Sequence, residues 1–280
     1  MSEFNDWIGR SQTSTDVLEP ARSNALRVAM GDKGNLQVGD ALPLLHHWLY
    51  FWDVKPPAEL GSDGHPAKGG FLPPVPLPRR MWAGGRLKFL APLRLGDRVT
   101  KISTITSVTE KTGRSGTLVF VTVRHDLSTD AGLAVSEEQD LVYRDPASAM
   151  LPAPVAAPAP AAAWAETVEP DPVLLFRYSA LTMNGHRIHY DRPYAIDEES
   201  YPALVVHGPL QATLLIDIAS RNLCAPVTSF SFRGQVPAFS GAPLHVCGNP
   251  GEDGAEVWTQ QGGEKNMVAS VGTAALDDAA

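Results

Sequence analysis

The stretch Phe176-Arg-Tyr-Ser-Ala-Leu-Thr-Met-Asn184-Gly-His186-Arg187-Ile-His189-Tyr-Asp191-Arg-Pro-Tyr194-Ala195 gathers side chains capable of chemistry: close-set Asn184, His186 and His189, with three Arg and three Tyr. An imidazole titrates near neutrality, so a histidine here is a candidate for moving protons. About a dozen residues on, His207-Gly208-Pro209 opens an apolar run. If that run is a helix, its first amides and the positive end of its dipole can hold a developing negative charge. Pro209 has no amide hydrogen and Gly208 has no side chain, so Gly208 is the donor a ligand can approach closely.

The elements that must position these groups are read from periodicity. In His207–Arg221, Leu210, Leu214, Leu215 and Ile218 recur at helical spacing on a nearly all-apolar surface, which predicts a helix wrapped by other elements. Strands are expected at about Val227–Val236, Pro243–Gly248, Glu256–Gln260 and Asn266–Ala274. Gly251-Glu-Asp-Gly254 and Gly262-Gly263 serve as turns. The N-terminal part repeats the order. Asp40–Trp52 is apolar after Pro43 and is expected to be a helix, and Lys55–Arg86 is a Pro/Gly-rich loop. Strands follow at Arg98–Glu110, Gly116–Asp126 and Leu133–Arg144.

Between the two halves, residues 146–170 carry six spaced prolines, which marks an extended spacer. The expected division is therefore 1–145, linker 146–170, and 171–280. Leu87-Lys-Phe-Leu-Ala-Pro92-Leu-Arg-Leu-Gly96 and Phe232-Arg-Gly-Gln-Val-Pro237-Ala-Phe-Ser-Gly241 align at a constant offset, pointing to duplication. A helix packed on a curved antiparallel sheet, twice over, is an α+β architecture.

Lys+Arg 23 against Asp+Glu 31 leaves a formal charge of −8, opposite to the basic face of a nucleic-acid binder. Cys224 and Cys247 are too few for a disulfide framework and are read as inert thiols. No apolar run approaches the ~20 residues of a membrane span. Glu3 and Asp6 oppose a targeting leader, so the expected setting is cytoplasmic, with no membrane partner. His186-x-x-His189, with His207 and His245 as further ligands, lacks the H-E-x-x-H frame, and no metal is expected. Neither G-x-G-x-x-G nor G-K-[ST] is present. His46 and His47 are expected at a polar interface.

The segment resembles the motif of MaoC-like (hydratase-2) hot-dog hydratases. Tyr178, Leu181 and Thr182 fill its opening positions, His189 and Asp191 its His-x-Asp, Ala195 its Ala, and His207-Gly208 its later His-Gly. It departs from that pattern at Asn184, where the family carries Asp, and at His186-Arg187, where it carries Asn-Pro. Arg-Ile-His189-Tyr-Asp191, Tyr201-Pro-Ala-Leu-Val-Val-His207-Gly-Pro-Leu-Gln211 and Gly69–Gly85 are similar to a narrower branch. That branch holds 3-methylfumaryl-CoA (mesaconyl-C4-CoA) hydratases, itaconyl-CoA hydratases and mitochondrial 3-hydroxyacyl-thioester dehydratases.

The resemblance implies a tandem hot-dog, each half a long helix wrapped by a curved antiparallel sheet, with a catalytic second half and a degenerate first half that accommodates the acyl chain. It implies a hydro-lyase that adds water to an α,β-unsaturated acyl-CoA, with coenzyme A entering only as part of the substrate. A short branched dicarboxylyl group is the first choice. A fatty 3-hydroxyacyl-thioester dehydratase, a thioesterase and a non-catalytic acyl-CoA sensor are the alternatives. Gly208 would hold the enolate oxygen and His189 would transfer protons. Either Asn184 orients the water, or a carboxylate elsewhere, Asp191 or Glu198, replaces the family's acid. Arg187, Tyr194, His207 and Arg233 are the candidate substrate contacts, with Arg192 a further cation. A tandem pair is compatible with a monomer or a homodimer.

Overall fold

The computed structural model describes residues 4–113, 116–145, 152–153, 155–156 and 158–274. The β-branched runs expected as strands form them: β3 (Arg98–Gly113), β4 (Gly116–Thr129) and β5 (Gly132–Arg144) in the first half. In the second half they are β7 (Val227–Gly234), β8 (Leu244–Gly251), β9 (Gly254–Gln261) and β10 (Glu264–Thr273). Three more strands complete one antiparallel sheet: β1 (Ser11–Val17), β2 (Arg79–Phe89) and β6 (Trp164–Val168).

Strand order is β1-β3-β4-β5-β2-β7-β10-β9-β8-β6. Numbered within its own half, each run of five reads 1-3-4-5-2, so the sheet is two copies of one topology meeting at β2 and β7. The seam pairs Gly85 with Phe232 and Leu87 with Phe230. The segments that align in sequence therefore start on equivalent strands, β2 and β7. Gly84 and Gly85 sit there because a Cβ would lie 2.5 Å from the Phe232 carbonyl oxygen at the first and 2.9 Å from the Glu138 carbonyl oxygen at the second.

The apolar run after His207 forms α3 (Gly208–Asn222), packed on β7 to β10 with Leu210, Ala212, Leu215, Ile216, Ile218 and Ala219 buried. Asp217 and Ser220 take its solvent side. The expected first-half helix over Asp40–Trp52 does not form. Only a 3-10 turn, His46–Leu49, appears there. Pro43 removes an amide donor, and Leu45 and Phe51 adopt left-handed backbone at φ 65 and 61. Leu42, Leu45, Leu49 and Tyr50 are buried all the same, so an apolar run served core packing without helical backbone. Among the described residues, the long wrapped helix is thus present in one half only.

Two helices the periodicity did not show pack against each other: α1 (Pro20–Ala29) and α2 (Pro172–Thr182). Asp171 caps α2 by accepting from the Leu174 amide at 2.7 Å. The stretch read as a spacer also contributes structure, since Trp164–Val168 pair with β8 as the sheet's edge. Arg79–Phe89 lies largely within the stretch read as loop and is instead the central strand β2. His46 and His47 bond inside the first half, His46 Nδ1 with Ser23 Oγ at 2.6 Å and His47 Nε2 with buried Glu137 at 2.9 Å. Of the described helices, none is long and apolar enough to cross a membrane.

Candidate active site

A left-handed residue builds the site's first turn. Met183 ends α2 at φ 52, and the Asn184 amide donates back to the Ser179 carbonyl at 2.8 Å. Asn184 Oδ1 then accepts from the His186 amide at 3.0 Å, tightening the turn. The 3-10 turn Arg187–His189 follows, tied to the segment before α3 because the Val205 amide donates to the Ile188 carbonyl at 3.0 Å.

His189 is buried, and its Nδ1–H donates to the Val205 carbonyl at 2.8 Å, which leaves Nε2 as the unprotonated nitrogen. Its ring stacks on His207 with centroids 3.7 Å apart. His207 Nε2 shares a hydrogen bond with Ser179 Oγ at 2.8 Å, while its Nδ1 is buried without a partner. Burial, and then the neighbouring His186, hold the His189 pKa down to about 3. Burial likewise pushes His207 well below its ordinary value. Both rings are therefore neutral near pH 7, and His189 keeps a lone pair at Nε2.

His189, Asn184, His186 and Gly208 line one cavity of about 1030 Å³, which also reaches into the first half. That volume lies at the upper end of small-molecule sites. Gly208 starts α3, where first-turn amides have no intrahelical acceptor, and among the described residues no hydrogen bond takes its N–H. A Cβ at this position would meet only Met267 Cε at 3.7 Å and the Trp82 carbonyl oxygen at 3.9 Å, so the approach to this amide is open. An imidazole with a free lone pair and an unpaired helix-start amide thus share one partly enclosed space, a pairing able to transfer protons and hold an oxyanion.

Other sequence candidates fall outside it. Arg187 pairs with Asp191 at 2.7 Å, donates to the Ser62 carbonyl at 3.0 Å and lies over the Tyr194 ring. Tyr194 is buried beneath it, with its hydroxyl donating to Glu199 at 3.3 Å. Arg233 is exposed on β7, and Arg192 and Glu198 are also exposed. None of these lines the cavity, nor does His207, which backs His189 from behind. Asp191 serves Arg187, so neither carboxylate considered in place of the family's acid stands in the site.

Among the cavity-lining residues that sequence reasoning passed over are Asp63, His65 and Arg80. The first two sit in Gly61-Ser-Asp63-Gly64-His65, which reads as ordinary turn composition, and only the fold carries them to the second half. His186-x-x-His189 is not the set with metal-ligand spacing. That set is Asp63, His65 and His186, whose donor atoms lie within 4.8 Å of one another. Asp63 is already engaged: Oδ1 accepts from the His65 amide and Oδ2 from His65 Nδ1–H, each at 3.0 Å.

The hydroxyacyl-thioester dehydratase type 2 family matches residues 45–240. The chain is 46% identical to the mesaconyl-C(4)-CoA hydratase of Chloroflexus aurantiacus over 92% of its own length and 93% of that protein. Among solved structures it is similar to HtdX of Mycobacterium tuberculosis, at 18% identity and a TM-score of 0.65, covering 94% of this chain and 100% of that one. It is also similar to a conserved Mycobacterium tuberculosis protein with a double hotdog fold, at 16% identity and a TM-score of 0.55 over 95% and 96% of the two chains. The tandem architecture, the His-Gly entry to α3 and these likenesses agree: the chain is an enzyme of the hydroxyacyl-thioester dehydratase type 2 family, with the double hot-dog fold.

Proposed function

We propose that the chain hydrates a short branched dicarboxylyl enoyl-CoA, with 3-methylfumaryl-CoA (mesaconyl-C4-CoA) giving citramalyl-CoA as the first choice and itaconyl-CoA as the second. The observation that carries this reading is the opening of His189 and the Gly208 amide onto one cavity. Water adds to the β-carbon of an enoyl thioester only if the negative charge reaching the thioester oxygen is stabilised. One well-aimed amide contributes roughly 3–4 kcal/mol in such a site. His189, neutral with Nε2 unprotonated, takes the proton from water. Asn184 holds that water through its amide, since Oδ1 already serves His186.

The dicarboxylyl choice has its own support. Arg80 lines the same cavity, and among the described residues no carboxylate pairs with it. A guanidinium without an acid is a receptor for a free carboxylate. The 46% relative acts, by its name, on a substrate of this class. The reaction asks for no cofactor beyond the coenzyme A that the substrate carries.

The test is a side-by-side panel of mesaconyl-C4-CoA, itaconyl-CoA and crotonyl-CoA, followed by loss of enoyl-thioester absorbance. Turnover of a dicarboxylyl ester with kcat/KM at least tenfold above crotonyl-CoA supports the reading. Preference for crotonyl-CoA moves the chain to the fatty-acyl dehydratases, and binding without turnover makes it a sensor.

A further inference from the structure

The loop from Lys55 to Pro78 reaches out of the first half and touches the segment that carries Asn184 and His189. At Gly64, with φ +86, a Cβ would lie 2.0 Å from the Gly185 carbonyl oxygen, and at Gly185 a Cβ would lie 2.7 Å from that of Gly64. The two backbones meet where only glycines fit. The Arg187 amide donates to the Asp63 carbonyl at 2.9 Å, and the Arg187 guanidinium holds the Ser62 carbonyl at 3.0 Å. The loop is thereby fixed as a wall of the site, with Asp63 and His65 facing the cavity.

Asp63 orients His65 through both oxygens, so His65 presents Nε2. The His65 ring lies 4.2 Å from His186, which lies 5.4 Å from His189. The two outer imidazoles have opposite surroundings. His189 donates Nδ1–H to a neutral carbonyl, and no carboxylate offsets a positive charge on it. His65 donates Nδ1–H to a carboxylate that offsets part of such a charge, although burial and the nearby Arg80 still hold its pKa below the ordinary value. Groups whose surroundings separate them in this way divide into base and acid.

We propose that His65, held by Asp63, is a second catalytic residue of this hydratase, the proton donor to the α-carbon in hydration and the base for that proton in dehydration. This rests on the hydratase reading above and supplies the group missing where Asn184 replaces the family's acid. In hydration, His189 Nε2 takes a proton from water as the oxygen bonds to the β-carbon, and the π pair moves onto the thioester oxygen at the Gly208 amide. That pair returns to the α-carbon and takes the Nε2 proton of the His65 imidazolium, leaving neutral His65 on the Asp63 carboxylate. The proton on His189 returns to His65 through solvent in the cavity that both rings line, restoring both rings, and the net change is one water added. Asp63 acts through His65 and is a positioning residue.

The test separates the two histidines. A saturated thioester such as succinyl-CoA has α-hydrogens but no hydroxyl to lose, so its α-hydrogen exchange in D2O asks only for the α-carbon base and the enolate site. Expected results are that His65→Ala loses at least ~100-fold in both hydration and exchange, while His189→Ala loses hydration and keeps exchange within tenfold. Asp63→Asn lowers the exchange rate at least tenfold and moves its pH profile to lower pH, because the charge that favours imidazolium is gone. Circular dichroism and thermal melting establish that each variant is folded, and His65→Gln and His189→Gln replace the alanine variants if either is not.

A folded His65 variant that hydrates and exchanges within tenfold of wild type overturns the inference while leaving the hydratase reading intact. Wild type without any hydratase activity overturns that reading first. Loss of activity to a chelator with recovery on adding a divalent metal also overturns the inference, since Asp63, His65 and His186 would then be ligands.

Discussion

Gly208→Ala isolates the helix-start amide from the rest of the site. The new methyl would stand 3.7 Å from Met267 Cε and 3.9 Å from the Trp82 carbonyl oxygen, ordinary contacts that require no movement. Alanine is favoured over glycine in a helix by up to about 1 kcal/mol, less in the first turn. The melting temperature should therefore hold or rise by about 2–4 °C. Trp82 and Met267 both line the cavity, so the methyl enters it beside the amide. Moving a thioester by about 1 Å costs up to about 100-fold in rate. The expected loss in kcat/KM is about 10- to 100-fold, about 1.4–2.8 kcal/mol, part of what a whole oxyanion donor contributes. Thermal melting and the enoyl-thioester absorbance assay on the same preparation read both effects. A folded variant within threefold of wild-type kcat/KM refutes placement of the thioester at this amide, and a melt lowered by more than about 10 °C refutes the fit of the methyl.

Burial holds His46, His186 and His189 each down to about 3, so these rings stay neutral in the folded chain while their unfolded counterparts take a proton near 6.5. Stability is then full above pH 6.5 and falls as pH drops from 6.5 toward 3, by about 1.4 kcal/mol per pH unit for each group. Denaturant midpoints measured from pH 7.5 to 4.5 should decline with that sign, and His186→Gln should shallow the slope by about one proton; a flat profile contradicts the burial. In the first half, Glu137 is buried and bonded to His47 at 2.9 Å and to the Trp48 indole at 3.0 Å. Glu137→Ala strands both donors and should destabilise by about 3–5 kcal/mol in urea titrations. A change under about 1 kcal/mol would mean that the cluster contributes little.

The site's second-half part was legible because local rules wrote it. His207-Gly208-Pro209 before an apolar helical run can hardly be other than a helix start, and Asn184, His186 and His189 stand close together in sequence. Strands β3 and β4 announced themselves through Val, Ile and Thr density, and β8 to β10 through the Gly251–Gly254 and Gly262-Gly263 turns between them. Edge strands β1 and β6 did not, because Ser11–Val17 and Trp164–Val168 each bury little and take their form from the neighbour they pair with. Asp40–Trp52 misled in the other direction: a buried apolar run carries the same signal whether its backbone is helical or, as here, irregular. Asp63 and His65 were illegible for a different reason, since their place depends on a contact between Gly64 and Gly185 that no local pattern encodes.

Hydration by this chain depends most directly on His189. Wild type and His189→Ala should be compared on mesaconyl-C4-CoA at pH 7.5, with folding checked by circular dichroism. Wild type should show rapid loss of enoyl absorbance and the variant a turnover at least ~100-fold lower, with KM changed less than kcat. A folded variant that keeps more than about a tenth of wild-type turnover contradicts that dependence.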